Sequence, residues 1–428
     1  MHGDEANQAS RFEQLMEYDI NVYDPRDYHG PTLYYLTLPV AWMTKSTYKE
    51  MDKVHYRGLT VFFSMLGILL CLAFKDGLGS AGTIALALFT AVSPAGVFYS
   101  RYYIQEPLFI TFTLAFLACL WRWHQSLKLG NSRHTILYAI GAGLALGLMA
   151  SSKETFVIPL FATLGAVIII WLRSKRSNLR ELWQINKQNL LTGSLAFFAV
   201  CTIFYSAFFS DPKGLIDPIL AYSTHVQRGF GSGDMPENTT AGEAHVKPAL
   251  YYGNLLFGSW RQPANEFGIK RKGGRDRSNA KVAKSILKNQ SSRPMTELIF
   301  LILASVGLIL IVKNRERNNF PVFIAIYAII MFTVYSCIPY KTPWCVLGIL
   351  QGFLFLAAWA VKYFWECERP RTFKVGLAVL MLLGIFDLTR QVHLGSDSMA
   401  ATTNNPYVYS HTVYDTEELI SDIEEIAI

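Results

Sequence analysis

LIFLILASVGLILIV, residues 298–312, contains no charged side chain and none of the alternation of polar and apolar residues that marks a barrel strand. Backbone N–H and C=O groups must be satisfied internally in lipid, which a helix does. The run therefore predicts a helix that crosses a membrane. The rest of the chain is similar in character: 51% of its 428 residues are hydrophobic and 14% are aromatic.

Apolar runs with few charges recur along the chain and give ten candidate spans. They cover residues 57–75, 82–99, 107–121, 135–150, 155–172, 189–209, 297–313, 320–338, 344–361 and 375–390. The predicted fold class is all-α, a polytopic bundle of about ten transmembrane helices. A soluble enzyme is excluded by this pattern.

Lys and Arg are concentrated in alternate loops, which predicts the orientation of the bundle. The cations of these loops are Arg122, Lys128, Arg133, Arg173, Lys175, Arg176, Arg180, Lys187, Lys313, Arg315, Arg317, Lys362, Arg369, Arg371 and Lys374. The positive-inside rule places these loops in the cytoplasm. The remaining turns, near 100–106, 151–154 and 339–343, are then expected on the extracytoplasmic side.

The same topology divides the chain into five regions. They are a first outer loop at 1–56, helices at 57–209, a long outer loop at 210–296, helices at 297–390, and the start of an outer soluble segment at 391–428. Within the long loop, residues 250–260 are apolar and aromatic but too short to span, which predicts an interfacial or re-entrant helix.

Several functional classes lack their signatures. The cysteines form no disulfide or zinc pattern, no HExxH pair occurs, and no GxxxxGK[ST] loop supports an ATP-driven pump. A secondary transporter would place ionisable residues near the middle of its spans, whereas these spans carry almost none there. Nucleic acid is not an expected partner.

Charged residues at the outer turns carry the functional signal. Arg101, Lys153 and Lys341 each lie at a membrane boundary, and the acidic pair Asp4 and Glu5 lies on the same side. Each cation alone fits a side chain that snorkels to lipid headgroups, and an acidic pair alone fits a solvated helix start. Together they fit a lipid-linked phosphate, held by charge-assisted hydrogen bonds while its hydrocarbon tail lies between helices.

The strings at these turns resemble a known family. HGDEA at 2–6, YHGPTLYY at 28–35, SRYYIQE at 100–106, SKE at 152–154 and PYKTPW at 339–344 look like the flippase-activity-associated membrane proteins of archaeal-type glycosylation. That family lies within the GT-C superfamily of polyprenyl-phosphate-dependent glycosyltransferases. Relatives there include the protein O-mannosyltransferases of glycosyltransferase family 39 and the lipid A aminoarabinose transferases.

The resemblance implies a role for each candidate residue. Asp4, with Glu5 beside it, would be the catalytic general base, and Glu106 would orient a donor hydroxyl or help to hold a divalent cation, whose participation the sequence leaves open. Arg101, Lys153 and Lys341 would neutralise the phosphate, while His29, Tyr102 and Tyr340 would donate to sugar or phosphate oxygens.

The expected activity is inverting transfer of a sugar from a polyprenyl phosphate to a glycan, lipid or protein acceptor, outside a prokaryotic-type cell membrane. In the family a transmembrane helix precedes the acidic motif, whereas this sequence begins just before Asp4, so that helix is expected to be missing from the chain. The alternative function is a non-catalytic protein that binds polyprenyl-phosphate sugars and assists their flipping, which would tolerate loss of Asp4.

Overall fold

The computed structural model describes residues 3–18, 23, 29–130, 132–173, 179–222, 246–258, 295–314, 318–397, 399–400 and 405–409. The α-helices, labelled here in chain order, are α1 Gly3–Tyr18, α2 Thr32–Thr44, α3 Lys53–Leu70, α4 Lys75–Val92, α5 Pro94–Ser100, α6 Glu106–Lys128, α7 Ser132–Ser152, α8 Val157–Arg173, α9 Leu179–Tyr205, α10 Tyr251–Leu256, α11 Leu298–Lys313, α12 Asn319–Cys337, α13 Val346–Glu366 and α14 Arg371–Ser396. The all-α prediction is confirmed.

Each of the ten predicted spans falls on helix. Within the described residues, eight helical runs are long and apolar enough to cross a membrane, and the apolar helix α11 is shorter. One of the eight runs, Lys53–Val92, has 40 residues. At 1.5 Å per residue a straight helix of that length would be about twice as long as the hydrocarbon core is thick.

That long run is a hairpin of two spans, α3 and α4. Gly79 has φ 64° and ψ 177°, a conformation that breaks the helix and that glycine adopts without a steric penalty. Cys71 Sγ consequently lies 3.9 Å from Thr90 Oγ1, a distance that a straight helix would not allow across 19 residues. Arg122, at the far end of α6, pairs with Asp76 beside this reversal, with 2.5 Å between Nη1 and Oδ2.

Helix α13 forms the centre of the bundle and packs against α4, α11 and α12. In its most apolar stretch of 18 residues, 83% of the residues are buried. Helix α14 lies at the periphery of the bundle, and only 6% of the residues in its most apolar stretch are buried. The segment predicted as interfacial, residues 250–260, forms the short helix α10, whose Tyr251, Tyr252, Leu255 and Leu256 are fully buried. Residues 259 and 260 of that segment lie outside the described residues.

Residues 405–409, the last that the structure describes, pack into the bundle. Tyr99 donates to the Tyr407 carbonyl at 2.7 Å, and Tyr407 donates in turn to Glu297 Oε1 at 3.4 Å. The same carboxylate oxygen accepts from Ser93 Oγ at 2.9 Å and from the Ala95 amide at 2.7 Å. Glu297 therefore joins this segment to the start of α5. The outer soluble segment was predicted for residues 391–428. Residues 391–396 continue α14, whereas residues 398, 401–404 and 410–428 lie outside the described residues.

Stability is expected to fall as pH rises, because Glu297 is fully buried and its second oxygen, Oε2, has no hydrogen-bond partner in the described part of the chain. Burial raises the pKa of this carboxyl to about 7, although its hydrogen bonds with Ala95, Ser93 and Tyr407 oppose the shift. An unfolded glutamate ionises near pH 4.5, so between roughly pH 4.5 and 7 the unfolded state loses the proton that the folded state keeps. The loss amounts to about 3 kcal/mol above that window.

The variant Glu297→Gln checks this expectation, since an amide can replace the protonated acid. It should unfold at the wild-type temperature near pH 4 and be more stable than wild type by about 3 kcal/mol near pH 8, measured by thermal unfolding in detergent. A stability difference that does not depend on pH would contradict a buried, protonated Glu297.

Candidate functional site

The turns predicted to lie outside all meet at one end of the bundle, called here the site face. It is formed by α1, the turn 101–105 between α5 and α6, the junction of α7 and α8 at Lys153, and the turn 338–345 before α13. The contacts given below join these segments to one another. Two charged pairs, one partly buried and one buried, organise this end of the molecule.

The first pair joins the acidic motif to α3. Glu5 is completely buried, and its carboxylate accepts two hydrogen bonds from Arg57, 2.8 Å from Nε and 2.7 Å from Nη2. Glu5 Oε1 also accepts from the backbone amide of Tyr103 at 3.0 Å. The Arg57 guanidinium lies 5.6 Å above the ring of Tyr102. This bidentate arrangement, which a lysine could not provide, fixes α1 against the turn 101–105.

Asp4 precedes Glu5 on α1 and is half-buried, so its environment differs from that of its neighbour. One turn further along α1, Gln8 accepts from Tyr34 Oη at 2.6 Å and from Gln105 Nε2 at 2.8 Å. These two bonds tie the same helix to α2 and to the residue before Glu106. The acidic motif therefore stands on a helix that is held from three sides.

The second pair is Lys153 with Glu106, an ion pair in which both side chains are about 95% buried. His29 lies beside it: its backbone forms a bridge with Lys153, and its Nδ1 is 3.2 Å from Glu154 Oε2. Gly30 allows this approach, because a Cβ at that position would collide with the Ser151 carbonyl oxygen. The HG string at 29–30 thus brings the first loop against the junction of α7 and α8.

Lys153 remains charged in this setting. Burial on its own lowers the pKa of a lysine, but the Glu106 and Glu154 carboxylates outweigh that effect and raise the pKa of Lys153 above its usual value. Lys153 is also within electrostatic range of Cys345, in the turn before α13. An ammonium group has three N–H donors, so Lys153 can stay paired with Glu106 and still bind a phosphate oxygen.

The remaining predicted residues contact the surrounding backbone. Lys341 is 1% exposed and donates to the carbonyls of Ile338 and Lys247, and burial lowers its pKa. Arg101 donates through Nη2 to the Ser396 carbonyl at 2.9 Å, which links the turn 101–105 to the end of α14. Tyr340 forms a backbone bridge with Val246. Arg101 and Lys341 thus have structural contacts in addition to the phosphate-binding role predicted for them.

No group of three His, Cys, Asp or Glu side chains within the described ranges is placed to hold a metal ion. The participation of a divalent cation therefore stays as open as the sequence left it.

Arg57 is the main site residue that sequence reasoning missed. Like Arg101, Arg57 is a single cation at the outer end of a span. It was missed because it is the first residue of the predicted span 57–75 and so was counted with the span and not with the outer turns.

The Glu5→Gln variant is expected to lower the free energy of unfolding by about 1–3 kcal/mol, because the amide presents N–H groups where Arg57 and Tyr103 need an acceptor. Thermal unfolding in detergent would measure the loss. A double-mutant cycle with Arg57→Gln isolates the pair. Single losses that simply add, to within about 0.5 kcal/mol, would argue against a direct bond between the two residues.

Comparisons with known proteins agree with this architecture. The family model for dolichyl-phosphate-mannose-protein mannosyltransferases matches residues 33–210, fewer than half of the chain. ArnT from Cupriavidus metallidurans in the apo state superposes with a TM-score of 0.57 at 12% identity, over 89% of this chain and 58% of that one. ArnT bound to undecaprenyl phosphate gives 0.56 at 14% identity, over 90% and 60%. The comparison with curated proteins gave no match.

The chain thus spans about three fifths of the length of the ArnT chains that it resembles. Likeness at such low identity concerns the fold, and the narrower resemblance to flippase-activity-associated membrane proteins stays a prediction. The fold of this chain is similar to that of ArnT, and residues 33–210 match the mannosyltransferase family model; both findings agree with the GT-C resemblance that the sequence motifs predicted.

Proposed function

We propose that this protein is a membrane glycosyltransferase that moves a sugar from a polyprenyl-phosphate donor to an acceptor at the extracytoplasmic face. The observation that carries the proposal is the arrangement of the site face, where α1 and its Asp4 are fastened to the turn that leads into the buried Glu106–Lys153 pair. A proton acceptor and a phosphate-binding cation are what such a transfer needs.

The two acidic residues of the motif have different roles in this proposal. Both oxygens of Glu5 already accept from Arg57, and one accepts from Tyr103 as well. That carboxylate is a poor proton acceptor, so Glu5 positions the helix. Asp4, which is half-buried, is the proposed general base, a function that the resemblance assigned to it.

In the proposed reaction, an acceptor hydroxyl or amine attacks the anomeric carbon of the donor sugar. Its proton passes to the Asp4 carboxylate, and the bond from the anomeric carbon to the phosphate oxygen breaks with its electron pair on the leaving polyprenyl phosphate. Lys153 stabilises that developing charge from a fixed position. Attack on the side opposite the phosphate inverts the configuration at the anomeric carbon.

The donor class is supported by the comparison structure of ArnT, which holds undecaprenyl phosphate, and by the dolichyl-phosphate-mannose family model, which covers Glu106 and Lys153. The extracytoplasmic location is supported by the positive-inside pattern, because Arg122, Lys128 and Lys362 lie at the other end of the bundle from the site face.

The test is sugar transfer by the purified protein in lipid nanodiscs, with polyprenyl-phosphate sugars labelled in the sugar and a membrane extract as the source of acceptors. Transfer of the labelled sugar to an extractable product, with the anomeric configuration opposite to that of the donor, supports the proposal. Saturable donor binding without turnover would instead favour the non-catalytic lipid-carrier function.

A further inference from the structure

A cavity of about 250 Å³ lies between α3, α4, α5, α6 and α13. Its walls are mainly aliphatic, with Leu114, Leu350 and Leu354 among the lining residues. It is larger than the engineered cavity of about 150 Å³ that takes up benzene, so it can hold a segment of hydrocarbon chain. Met65, which also lines it, is 61% exposed on the outer surface of α3, so the cavity reaches the lipid-facing side of the bundle.

The cavity begins directly beneath the site face. Pro107, one of its lining residues, follows Glu106 of the buried pair. Ile110 on α6 and Gln351 on α13 line it about one helical turn further into the membrane. A chain in this cavity would therefore have its head close to Lys153.

One polar side chain in this apolar wall is incompletely satisfied. Gln351 is 8% exposed and donates from Nε2 to the Ile110 carbonyl at 3.4 Å, while its Oε1 has no hydrogen-bond partner among the residues that the structure describes. The neighbouring Thr111 hydroxyl donates to the Pro107 and Phe63 carbonyls instead. A buried amide oxygen without a donor is costly, and an N–H or O–H group entering the cavity would remove that cost.

We propose that this cavity binds the head-proximal part of a lipid acceptor whose chain carries a hydrogen-bond donor, such as an amide-linked or hydroxylated acyl chain. The inference rests on the proposed transferase function and names its acceptor class. A polyprenyl chain is hydrocarbon beyond its phosphate and offers nothing to Gln351 Oε1, so the donor lipid fits this cavity less well. The acceptor lipid would enter past Met65 on the lipid-facing surface of α3.

Photoreactive lipids test the proposal without requiring turnover. The full chain in nanodiscs is irradiated with matched lipids that carry a diazirine close to the head, one amide-linked and one ester-linked, and with a photoreactive polyprenyl phosphate. The amide-linked lipid is expected to label cavity residues on α3, α5 and α13, and Gln351→Leu should lower that labelling about tenfold while leaving the ester-linked lipid unaffected.

A variant that fills the cavity provides a second test of the proposal. Ala91 on α4 lines the cavity, and Ala91→Phe should abolish labelling by the amide-linked lipid without loss of thermal stability. Ile84→Phe, on the same helix at a position that is 60% exposed, is the matched control and should label as wild type does.

Labelling of the cavity by the polyprenyl probe in preference to the amide-linked lipid, or labelling that Ala91→Phe leaves unchanged, would overturn the proposal. Transfer of sugar to a water-soluble acceptor by a protein whose cavity takes no lipid label would overturn this inference alone. If the amide-linked lipid labels the cavity specifically but the protein transfers no sugar, the cavity is a lipid-binding site whose lipid is not the acceptor of a transfer reaction.

Discussion

Replacing Asp4 with asparagine is expected to lower the rate of sugar transfer by about 10²–10⁴-fold, the usual contribution of a positioned general base. Asparagine keeps the size and polarity of the side chain but cannot take up the acceptor proton. Donor binding should stay near the wild-type level, because in the proposal the phosphate is held by Lys153. The measurement is single-turnover transfer of labelled sugar, together with equilibrium binding of the labelled donor.

Thermal unfolding of the variant separates a catalytic role of Asp4 from a structural one. The helix dipole favours an acidic residue in the first turn by about 0.3–1 kcal/mol, so a loss of stability within that range is compatible with catalysis. Glu17→Gln is the matched control, since Glu17 is an exposed carboxylate on the same helix. Wild-type transfer by Asp4→Asn would remove Asp4 as the base, and unfolding of the variant would indicate a structural role.

The contrast between Asp4 and Glu5 marks the limit of what the sequence could predict. Adjacent carboxylates look alike in a sequence, and the resemblance implies a catalytic role for both Asp4 and Glu5. The partner that separates them, Arg57, is 52 residues away and reaches Glu5 only after α1 packs across the start of α3. Local patterns carry no information about such a pairing.

The helices were predictable for the opposite reason. Hydropathy over about 20 residues is a local property, and in lipid it leaves the backbone few alternatives to a helix. The break in the helix within the predicted span 82–99 also has a local cause. Ser93 accepts from the Gly96 amide as an N-cap, and Pro94 occupies the first turn, so α4 ends at Val92 and α5 begins anew.

Cations at the outer turns lie between these extremes. Their position at the membrane boundary was visible in the sequence, but their partners were not. Lys153 pairs with Glu106, 47 residues earlier in the chain, whereas Arg101 donates to a carbonyl 295 residues later. A residue that could serve a phosphate, a neighbouring carboxylate or the backbone is assigned only by the packing around it.

Lys153→Met is expected to destabilise the protein by about 3–5 kcal/mol, because it leaves the Glu106 carboxylate buried and unpaired. Thermal unfolding in detergent measures this loss. Any accompanying loss of donor binding would then be ambiguous, since a damaged fold and a missing phosphate ligand both weaken binding. The charge of Glu106 offers a way to separate them.

The double variant Lys153→Met with Glu106→Gln removes both charges, so it should recover most of the lost stability. Donor binding should nevertheless remain weaker than wild type by about 10- to 100-fold, the value of a charge-assisted hydrogen bond of roughly 1.5–3 kcal/mol. Wild-type donor affinity in a stable double variant would mean that the buried pair only joins α6 to the junction of α7 and α8. The phosphate would then have to be bound by other cations of the site face, of which Arg57 is the nearest to the acidic motif.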